Sequence, residues 1–188
     1  MATNTNDILD RVFKTGVYKS DIVRKTLSPS MDIQVASNFE RLLFDLLNND
    51  AKVVGKLMNE LSEKGHFNLE KSMLTMISKD FDSGMVTDKD TMTTINHFFN
   101  KRDITLCPHS AIGVRVAKDF VDTGETVVSL GTAHPAKFKE TVEQALDTSI
   151  SIPMKLQNIM EKQESVRVIP PSSQQVAEEI RKSYLRQN

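Results

Sequence analysis

The stretch GTAHPAKF, residues 131–138, places a hydroxyl and an imidazole next to each other in a short loop, through Thr132 and His134. The apolar run at 127–130 before it predicts a buried strand of a parallel sheet, and Pro135 suits the first turn of a following helix. Thr132 would then lie at the carboxyl end of a strand, the edge where open α/β sheets bind their ligands. The pattern therefore predicts a ligand site at this loop.

Each polar side chain of this stretch also has a simpler interpretation. Thr132 could only satisfy the backbone of its own loop, and His134 could be the N-terminal residue of its helix, bonded to a neighbouring carbonyl. Lys137 would have to be desolvated to form an imine. It falls on a polar helix face together with Lys139 and Glu140, and this favours a solvated Lys137.

A second polar set could bind an anion close to a predicted helix start. Its members are Ser28, Ser30, Asp32, Asn38 and Arg41. Helix N-termini and arginine both favour anions, so the set could hold the phosphate of a phosphorylated substrate. Alternatively, Asn38 caps the helix, Asp32 pairs with Arg41 and the serines shape the loop. Asn6 poses the same choice, between a ligand-side loop and a helix N-cap.

The composition excludes several classes of protein. The 188 residues carry 24 Lys and Arg against 25 Asp and Glu, a net charge of −1, so no basic field for nucleic acid is present. Cys107 is the single cysteine, which rules out an intrachain disulfide, and no second Cys or His stands at metal-ligand spacing from it and His109. No apolar run approaches the ~20 residues of a membrane span. We expect a cytoplasmic chain of one domain or one lobe, without a metal.

Helical periodicity dominates the elements that would position these residues. Residues 5–14 form a predicted helix that Gly16 ends, and residues 17–31 should be loop. Asn38 and Asn68 are predicted helix N-caps, and Thr87 with Asp90 resembles a capping box. A helix should follow Pro108, and residues 166–169 form a candidate edge strand. The predicted parts are 1–35, a helix and loop; 36–105, an inserted helical subdomain; 106–150, helix, strand and helix; and 151–188, tail helices.

Four stretches resemble one enzyme family, in the same order along the chain. They are ATN with ND at residues 2–7, TLSPSMDI at 26–33 followed by SNFER at 37–41, PHSAIG at 108–113, and GTAHPAKF at 131–138. The chain is similar in these stretches to threonine synthases, pyridoxal-phosphate enzymes of the tryptophan synthase beta-like fold, also called fold type II. The resemblance implies an α/β fold, here a helix-rich C-terminal part with few parallel strands and an inserted helical subdomain.

The resemblance also implies an activity, a lyase reaction that acts on a carbon–oxygen bond to phosphate. Threonine synthase converts O-phospho-L-homoserine and water to L-threonine and phosphate by β,γ-replacement. The matching residue Thr132 would hydrogen-bond the pyridine nitrogen of the cofactor and leave it mostly unprotonated. Asn6 and His134 would also lie on the cofactor side, and the second polar set would lie on the substrate side.

Two parts of the family's active site have no counterpart in this sequence, the Schiff-base lysine segment and the Gly-rich phosphate loop. No catalytic residue is therefore expected in this chain. We expect a C-terminal fragment that by itself neither holds the cofactor nor turns over substrate. The alternative is a noncatalytic α/β remnant that acts as an interaction or dimerisation module. It would bind a second copy, or the missing N-terminal half, through the edge of its exposed strand.

Overall fold

The computed structural model describes residues 1–124 and 126–185 of the chain. Within them the α-helices are α1 (Ile8–Thr15), α2 (Ser37–Leu46), α3 (Ala51–Lys64), α4 (Lys71–Asp80), α5 (Asp88–Arg102), α6 (Pro108–Ala117), α7 (Lys139–Leu146), α8 (Met154–Met160) and α9 (Ser173–Leu185). The strands are β1 (Ala2–Thr3), β2 (Val17–Lys19), β3 (His66–Asn68) and β4 (Gly84–Met85). Short 3-10 helices lie at Pro29–Met31, Lys118–Thr123 and Pro135–Phe138. The chain is helix-rich with few strands, as the sequence predicts.

Two helices end at a glycine and are followed directly by a strand. α1 ends at Gly16 and α3 ends at Gly65, each in the left-handed backbone region with φ of 74° and 73°. The strands that follow, β2 and β3, pair antiparallel, and Tyr18 faces Phe67 across the ladder. Strands β1 and β4 form a separate parallel pair, in which Ala2 lies opposite Gly84. The end of the first helix at Gly16 was predicted from the sequence and is confirmed.

A stack of three aromatic rings lies in the hydrophobic core that α1, α2 and α4 form. Tyr18 lies between Phe39 and Phe67, with ring centres 5.4 Å and 4.8 Å away and the planes nearly parallel. Around the stack pack the apolar faces of α1, α2 and α4, including the fully buried Val12 and Leu43. This burial stabilises the helices, because each large apolar side chain contributes about 1.5–3 kcal/mol when removed from water.

Helix α6 connects two smaller cores and so fixes the place of its own N-terminus. On one side Ala111 packs with Ile95 of α5 and Val142 of α7. On the other side Ile112 and Val116 pack with other apolar side chains near β1 and β4. The helix predicted after Pro108 is confirmed as α6, which ends at Ala117 and continues as the 3-10 helix Lys118–Thr123. Residues Met1–Ser151 form one compact unit and a second unit begins at Ile152. The predicted part boundaries at 36 and 106 remain predictions.

Two predicted strands do not form in the described part of the chain. Residues 126–130 have no regular structure, and Val128 and Leu130 are 78% and 80% exposed. Residues 166–169 are also irregular, and Val168 is 92% exposed. A strand is stabilised by hydrogen bonds to a neighbouring strand, and none of the described strands lies beside either run. The predicted helix–strand–helix at 106–150 is therefore a helix, an irregular segment and a helix.

Two predicted N-caps are also wrong. Helix α2 begins at Ser37 after Ala36, which places Asn38 inside the first turn. Asn68 ends β3, and α4 begins three residues later. The Thr87 prediction is confirmed, since its hydroxyl accepts the N–H of Asp90 at 3.2 Å and donates to the carboxylate of the same residue. None of the described helices combines the length and apolarity that a bilayer span requires.

Candidate active site

A cysteine closes the N-terminus of α6. The Cys107 sulfur accepts the N–H of Ser110 at 3.4 Å, and Pro108 occupies the first helical position, where its missing N–H is not needed. Both capping partners are buried, Cys107 at 1% exposure and Ser110 at 5%. The cap therefore holds a thiol and a hydroxyl side by side, with Sγ 3.2 Å from the Ser110 oxygen.

Thr132 packs against this helix end. Its backbone N–H donates to Ser110 Oγ at 3.0 Å. Its own hydroxyl oxygen lies 3.0 Å from Ser110 Oγ and 3.3 Å from Cys107 Sγ. The residue is otherwise exposed. Its hydroxyl therefore contacts the buried Ser110 and Cys107 on one side and is accessible to a ligand on the other. The support comes from a helix cap, because the predicted strand before Thr132 does not form.

Hydrogen bonding outweighs burial at the Cys107 thiol. Burial raises the pKa of this thiol. Hydrogen bonds from the side chains of Ser110 and Thr132 and from the N–H groups of Ser110 and Ala133 lower the pKa by more than burial raises it. The net pKa lies below the usual value of 9.0. The donors that stabilise a thiolate here include the hydroxyl of Thr132.

His109, two residues after Cys107, is a neutral buried imidazole. Its Nε2 accepts the N–H of Ser30 at 3.2 Å, which leaves the ring proton on Nδ1. The ring lies against Phe138, with ring centres 4.5 Å apart. Burial lowers the pKa of His109, the charge of Lys137 lowers it further, and Asp32 opposes them. Nδ1 is buried and has no hydrogen-bond partner in the described part of the chain.

His134 and Lys137 occupy the helical turn after Thr132. His134 is the N-cap residue of this turn, and its Nδ1 accepts the N–H of Ala136 at 3.1 Å. It is thus the N-terminal residue of the turn, bonded to an amide N–H rather than to a carbonyl. Lys137 is exposed, with Nζ 5.5 Å from the centre of the Phe138 ring. The solvated interpretation of Lys137 agrees with this position.

A cavity of about 690 Å³ lies beside these groups. Apolar side chains from the chain start, the 3-10 helix Pro29–Met31, α6 and the irregular segment line it. They include Met31, Val116 and Leu130. The polar residues in its wall include Ser30, His109 and Thr132. A mainly apolar cavity with a few converging polar groups is typical of small-molecule sites, and this volume lies within their usual range.

The predicted substrate residues Ser28 and Asp32 belong to a polar network behind the cavity. The Asn4 amide donates to Ser28 Oγ at 2.9 Å and to Asp32 Oδ1 at 2.8 Å. The same carboxylate oxygen accepts from Asn6 at 3.0 Å and from the Thr26 hydroxyl at 2.6 Å. The Asn6 amide also exchanges hydrogen bonds with the backbone of the loop. These side chains hold the loop that presents Ser30.

Asn38 and Arg41 lie apart from this network, on the exposed side of α2. Neither lines the cavity within the described part of the chain. Asp32 and Arg41 form no ion pair among the described residues, since the Asp32 carboxylate accepts from Asn4, Asn6 and Thr26 instead. Ser30 alone of the predicted substrate set is exposed at the cavity.

Three residues near Thr132 are missing from the predicted site, namely Cys107, His109 and Ser110. The available signal was the stretch PHSAIG at 108–113, which carries the resemblance but has no pattern that distinguishes a site from a buried helix start. The contact of this stretch with Thr132 spans 22 residues of sequence. Only the packing of α6 makes the contact visible.

The helix-rich fold with few strands is that of the C-terminal part of a fold type II pyridoxal-phosphate enzyme. Residues 110–180 match the family model described as "Threonine synthase, C-terminal". Over 172 residues, 90% of this chain and 37% of the relative, the sequence is 41% identical to a threonine synthase of Pseudomonas aeruginosa. The chain corresponds to the C-terminal portion of threonine synthases.

Solved structures agree with this assignment. A pyridoxal-phosphate-bound threonine synthase from Brucella melitensis matches 96% of this chain and 39% of its own, with a TM-score of 0.79 and 39% identity. The threonine synthase from yeast matches 100% of this chain and 42% of its own, with a TM-score of 0.81 and 33% identity. The chain therefore spans about two fifths of the length of these relatives.

Proposed function

We propose that this chain supplies one wall of a pyridoxal-phosphate site that converts O-phospho-L-homoserine and water to L-threonine and phosphate. The supporting observation is the Thr132 hydroxyl, held by Ser110 and Cys107 and open towards a cavity of about 690 Å³. A pyridine nitrogen can accept a hydrogen bond from such a neutral donor at the edge of an apolar cavity. The residues present fit a ring bound in this way.

When bound, pyridoxal phosphate acts as an electron sink for the bonds of the amino-acid substrate. The part of this chain is to set the electronic character of the ring and to exclude water. The Thr132 hydroxyl has no charge, so it leaves the ring nitrogen mostly unprotonated, whereas a carboxylate would hold it protonated. Apolar neighbours such as Met31 and Val116 keep the wall of the cavity dry.

The remaining predicted residues are proposed in two groups. His134 lies two residues after Thr132 and Asn6 lies in the supporting network, and we assign both to the cofactor side. The substrate side comprises Ser28, Ser30, Asp32, Asn38 and Arg41. Within this group Ser30 offers an exposed hydroxyl at the cavity, whereas Ser28 and Asp32 act by holding the loop. The neutral His109 accepts the Ser30 N–H and so fixes the position of this loop.

By itself this wall does not retain the cofactor. One neutral hydrogen bond contributes about 1 kcal/mol, far less than the micromolar affinity of a retained ligand requires, about 8 kcal/mol. The Schiff-base lysine and the phosphate loop are expected in the part of the relatives that this chain does not span. The complete activity is therefore proposed for an assembly with that part.

The test compares the chain alone with an assembly. The purified chain, mixed with pyridoxal phosphate and dialysed, should keep no visible absorbance. Retained colour that borohydride fixes to a specific lysine would contradict this proposal. Co-expression with the remaining part of the Pseudomonas aeruginosa relative should restore colour and phosphate release from O-phosphohomoserine. Thr132→Val should lose most of that activity and Thr132→Ser should keep it. Equal activity of the two variants would refute the role of Thr132.

A second function, an interaction module, rests on the exposed apolar segment at 126–130. Val128 and Leu130 are 78% and 80% exposed, so a partner surface would remove them from water. The candidate partners are a second copy and the remaining part of a threonine synthase. A sizing column with light scattering tests dimerisation, with Val128→Lys as the variant that should abolish it. A monomer at high concentration would exclude the homodimer.

A further inference from the structure

Three side chains at the N-terminus of α6 form a closed triangle of hydrogen-bonding atoms. Thr132 Oγ1 lies 3.0 Å from Ser110 Oγ and 3.3 Å from Cys107 Sγ, and the third side, between Ser110 and Cys107, is 3.2 Å. Each corner carries one proton and each can also accept. Three protons are thus available for three contacts, and no contact requires a proton from outside.

Backbone N–H groups fix the corners of this triangle in place. Ser110 Oγ accepts the N–H of Thr132 at 3.0 Å, and Cys107 Sγ accepts the N–H of Ser110 at 3.4 Å. These two bonds use acceptor positions on the oxygen and the sulfur. The three side-chain protons can therefore still rotate towards different acceptors. The triangle is therefore rigid in its heavy atoms and adjustable in its protons.

We propose that Cys107 and Ser110 are positioning residues that control the proton of the Thr132 hydroxyl. The hydroxyl oxygen of Thr132 can accept from both the Ser110 O–H and the Cys107 S–H, since it has two lone pairs. Its own proton is then free to point out of the triangle, towards an acceptor in the cavity. In this arrangement two contacts of the triangle remain hydrogen-bonded, and the contact between Ser110 and Cys107 carries no proton. The inference rests on the proposed function in one respect, namely that this acceptor is the ring nitrogen of the cofactor.

Ionisation of Cys107 would reverse the arrangement. A thiolate accepts but does not donate, so it draws the Thr132 proton back into the triangle. Outward donation by Thr132 and ionisation of Cys107 thus compete for one proton, and each disfavours the other by the same factor. Burial and hydrogen bonds, not the nearby titratable His109 and His134, set the pKa of this thiol. The competition should therefore respond directly to loss of the Thr132 hydroxyl.

The test needs neither cofactor nor a partner chain. Cys107 is the single cysteine, so the ultraviolet absorbance of its thiolate reports on this site in the full chain. In Thr132→Val the thiolate loses a donor, and the midpoint of its titration should move up by about one pH unit. Thr132→Ser keeps the hydroxyl and should restore the midpoint. Thr75→Val, an exposed threonine on α4, is the matched control and should leave it unchanged.

Ser110→Ala provides a second, independent variant. It removes another donor to the thiolate and should also raise the midpoint, and this holds even if Thr132→Val folds poorly. An unchanged midpoint in either folded variant, or no recovery in Thr132→Ser, would overturn the inference. Because no cofactor is present, these outcomes are separate from the proposed function. That proposal fails on colour and phosphate release, whereas this one fails on the thiol titration.

Discussion

Replacing Asn4 with aspartate should set two carboxylates against each other inside the polar network. The Asn4 side chain is 1% exposed, and the two N–H donors of its Nδ2 are shared among Asp32 Oδ1 at 2.8 Å, Thr26 Oγ1 at 2.8 Å and Ser28 Oγ at 2.9 Å. In Asn4→Asp an oxygen takes the place of this donor without a change of shape. The variant therefore tests the polarity of the network and leaves the packing intact.

The size of the effect follows from two routes that give similar values. Two unit charges about 4 Å apart repel by about 4 kcal/mol at an effective dielectric constant of about 20. The protein can instead protonate one carboxyl. Since an unperturbed aspartate has a pKa of about 3.9, this also costs about 4 kcal/mol at pH 7. We expect the free energy of unfolding to fall by about 4 kcal/mol at pH 7.

The stability of Asn4→Asp should depend on pH in a defined direction. In folded Asn4→Asp one carboxyl keeps a proton that the unfolded chain loses, so the folded state binds more protons. Stability should then rise as the pH falls, by about 2.7 kcal/mol between pH 7 and pH 5. Urea unfolding followed by circular dichroism at pH 7, 6 and 5 measures this directly. A variant that is unfolded at pH 7 should regain its transition at pH 5.

The matched control is Asn38→Asp, the same chemical change on the exposed first turn of α2. A negative charge near a helix N-terminus should be neutral or stabilise by up to about 1 kcal/mol, with no recovery at low pH. The reasoning is refuted if Asn4→Asp lies within about 1 kcal/mol of the unsubstituted chain at pH 7. It is also refuted if the deficit does not shrink by pH 5.

Three further predictions concern stability and can be measured by urea unfolding. In Gly84→Ala the new Cβ would lie 3.0 Å and 3.1 Å from the methyl carbons of Val116, so this variant should lose about 1–3 kcal/mol of stability. In Gly55→Ala on α3 the new Cβ meets nothing within 4 Å, so this variant should gain about 0.5–1 kcal/mol. Equal effects of the two substitutions would contradict the packing of Gly84 against Val116. Tyr18→Phe removes the hydroxyl that accepts the N–H preceding α2 at 2.7 Å, so it should cost about 1–3 kcal/mol, and a neutral result would refute that bond. Burial holds the pKa of His109 below its usual 6.5, so the unfolded chain binds the proton more readily and stability should fall as the pH drops below about 6.5. His109→Gln should remove this part of the dependence of stability on pH. An unchanged dependence would show that His109 does not titrate in this range.

Local chemistry explains the helix ends that were predicted correctly. Gly16 ends α1 because a residue without Cβ enters the left-handed region without strain, and Thr87 begins α5 because its hydroxyl can accept a free N–H of the first turn. Asn38 has the same capping ability but lies inside α2, because the chain already turns at the buried Ala36. Capping residues thus indicate a helix start to within a residue or two, and packing selects the position.

Strands depend on neighbours, and this explains the errors at 127–130 and 166–169. An apolar run is compatible with a buried strand, but its hydrogen bonds need a second strand alongside. The strands that do form are two or three residues long and pair across gaps such as Ala2 with Gly84. No local pattern predicts such short pairs, because their partners are set by the packing of α1, α3 and α6 against the strands.

The sequence by itself indicated most of the helical elements and, through four short stretches, the similarity to threonine synthases and Thr132 as a candidate site residue. It could not show that Thr132 Oγ1 meets Ser110 and Cys107, which lie 22 and 25 residues earlier. Only the tertiary structure decided that contact, because the packing of α6 against α5 and α7 brings its N-terminus to the loop. The physical reason is range. A helix end depends on atoms within one turn, whereas a side-chain triangle depends on where separate segments pack.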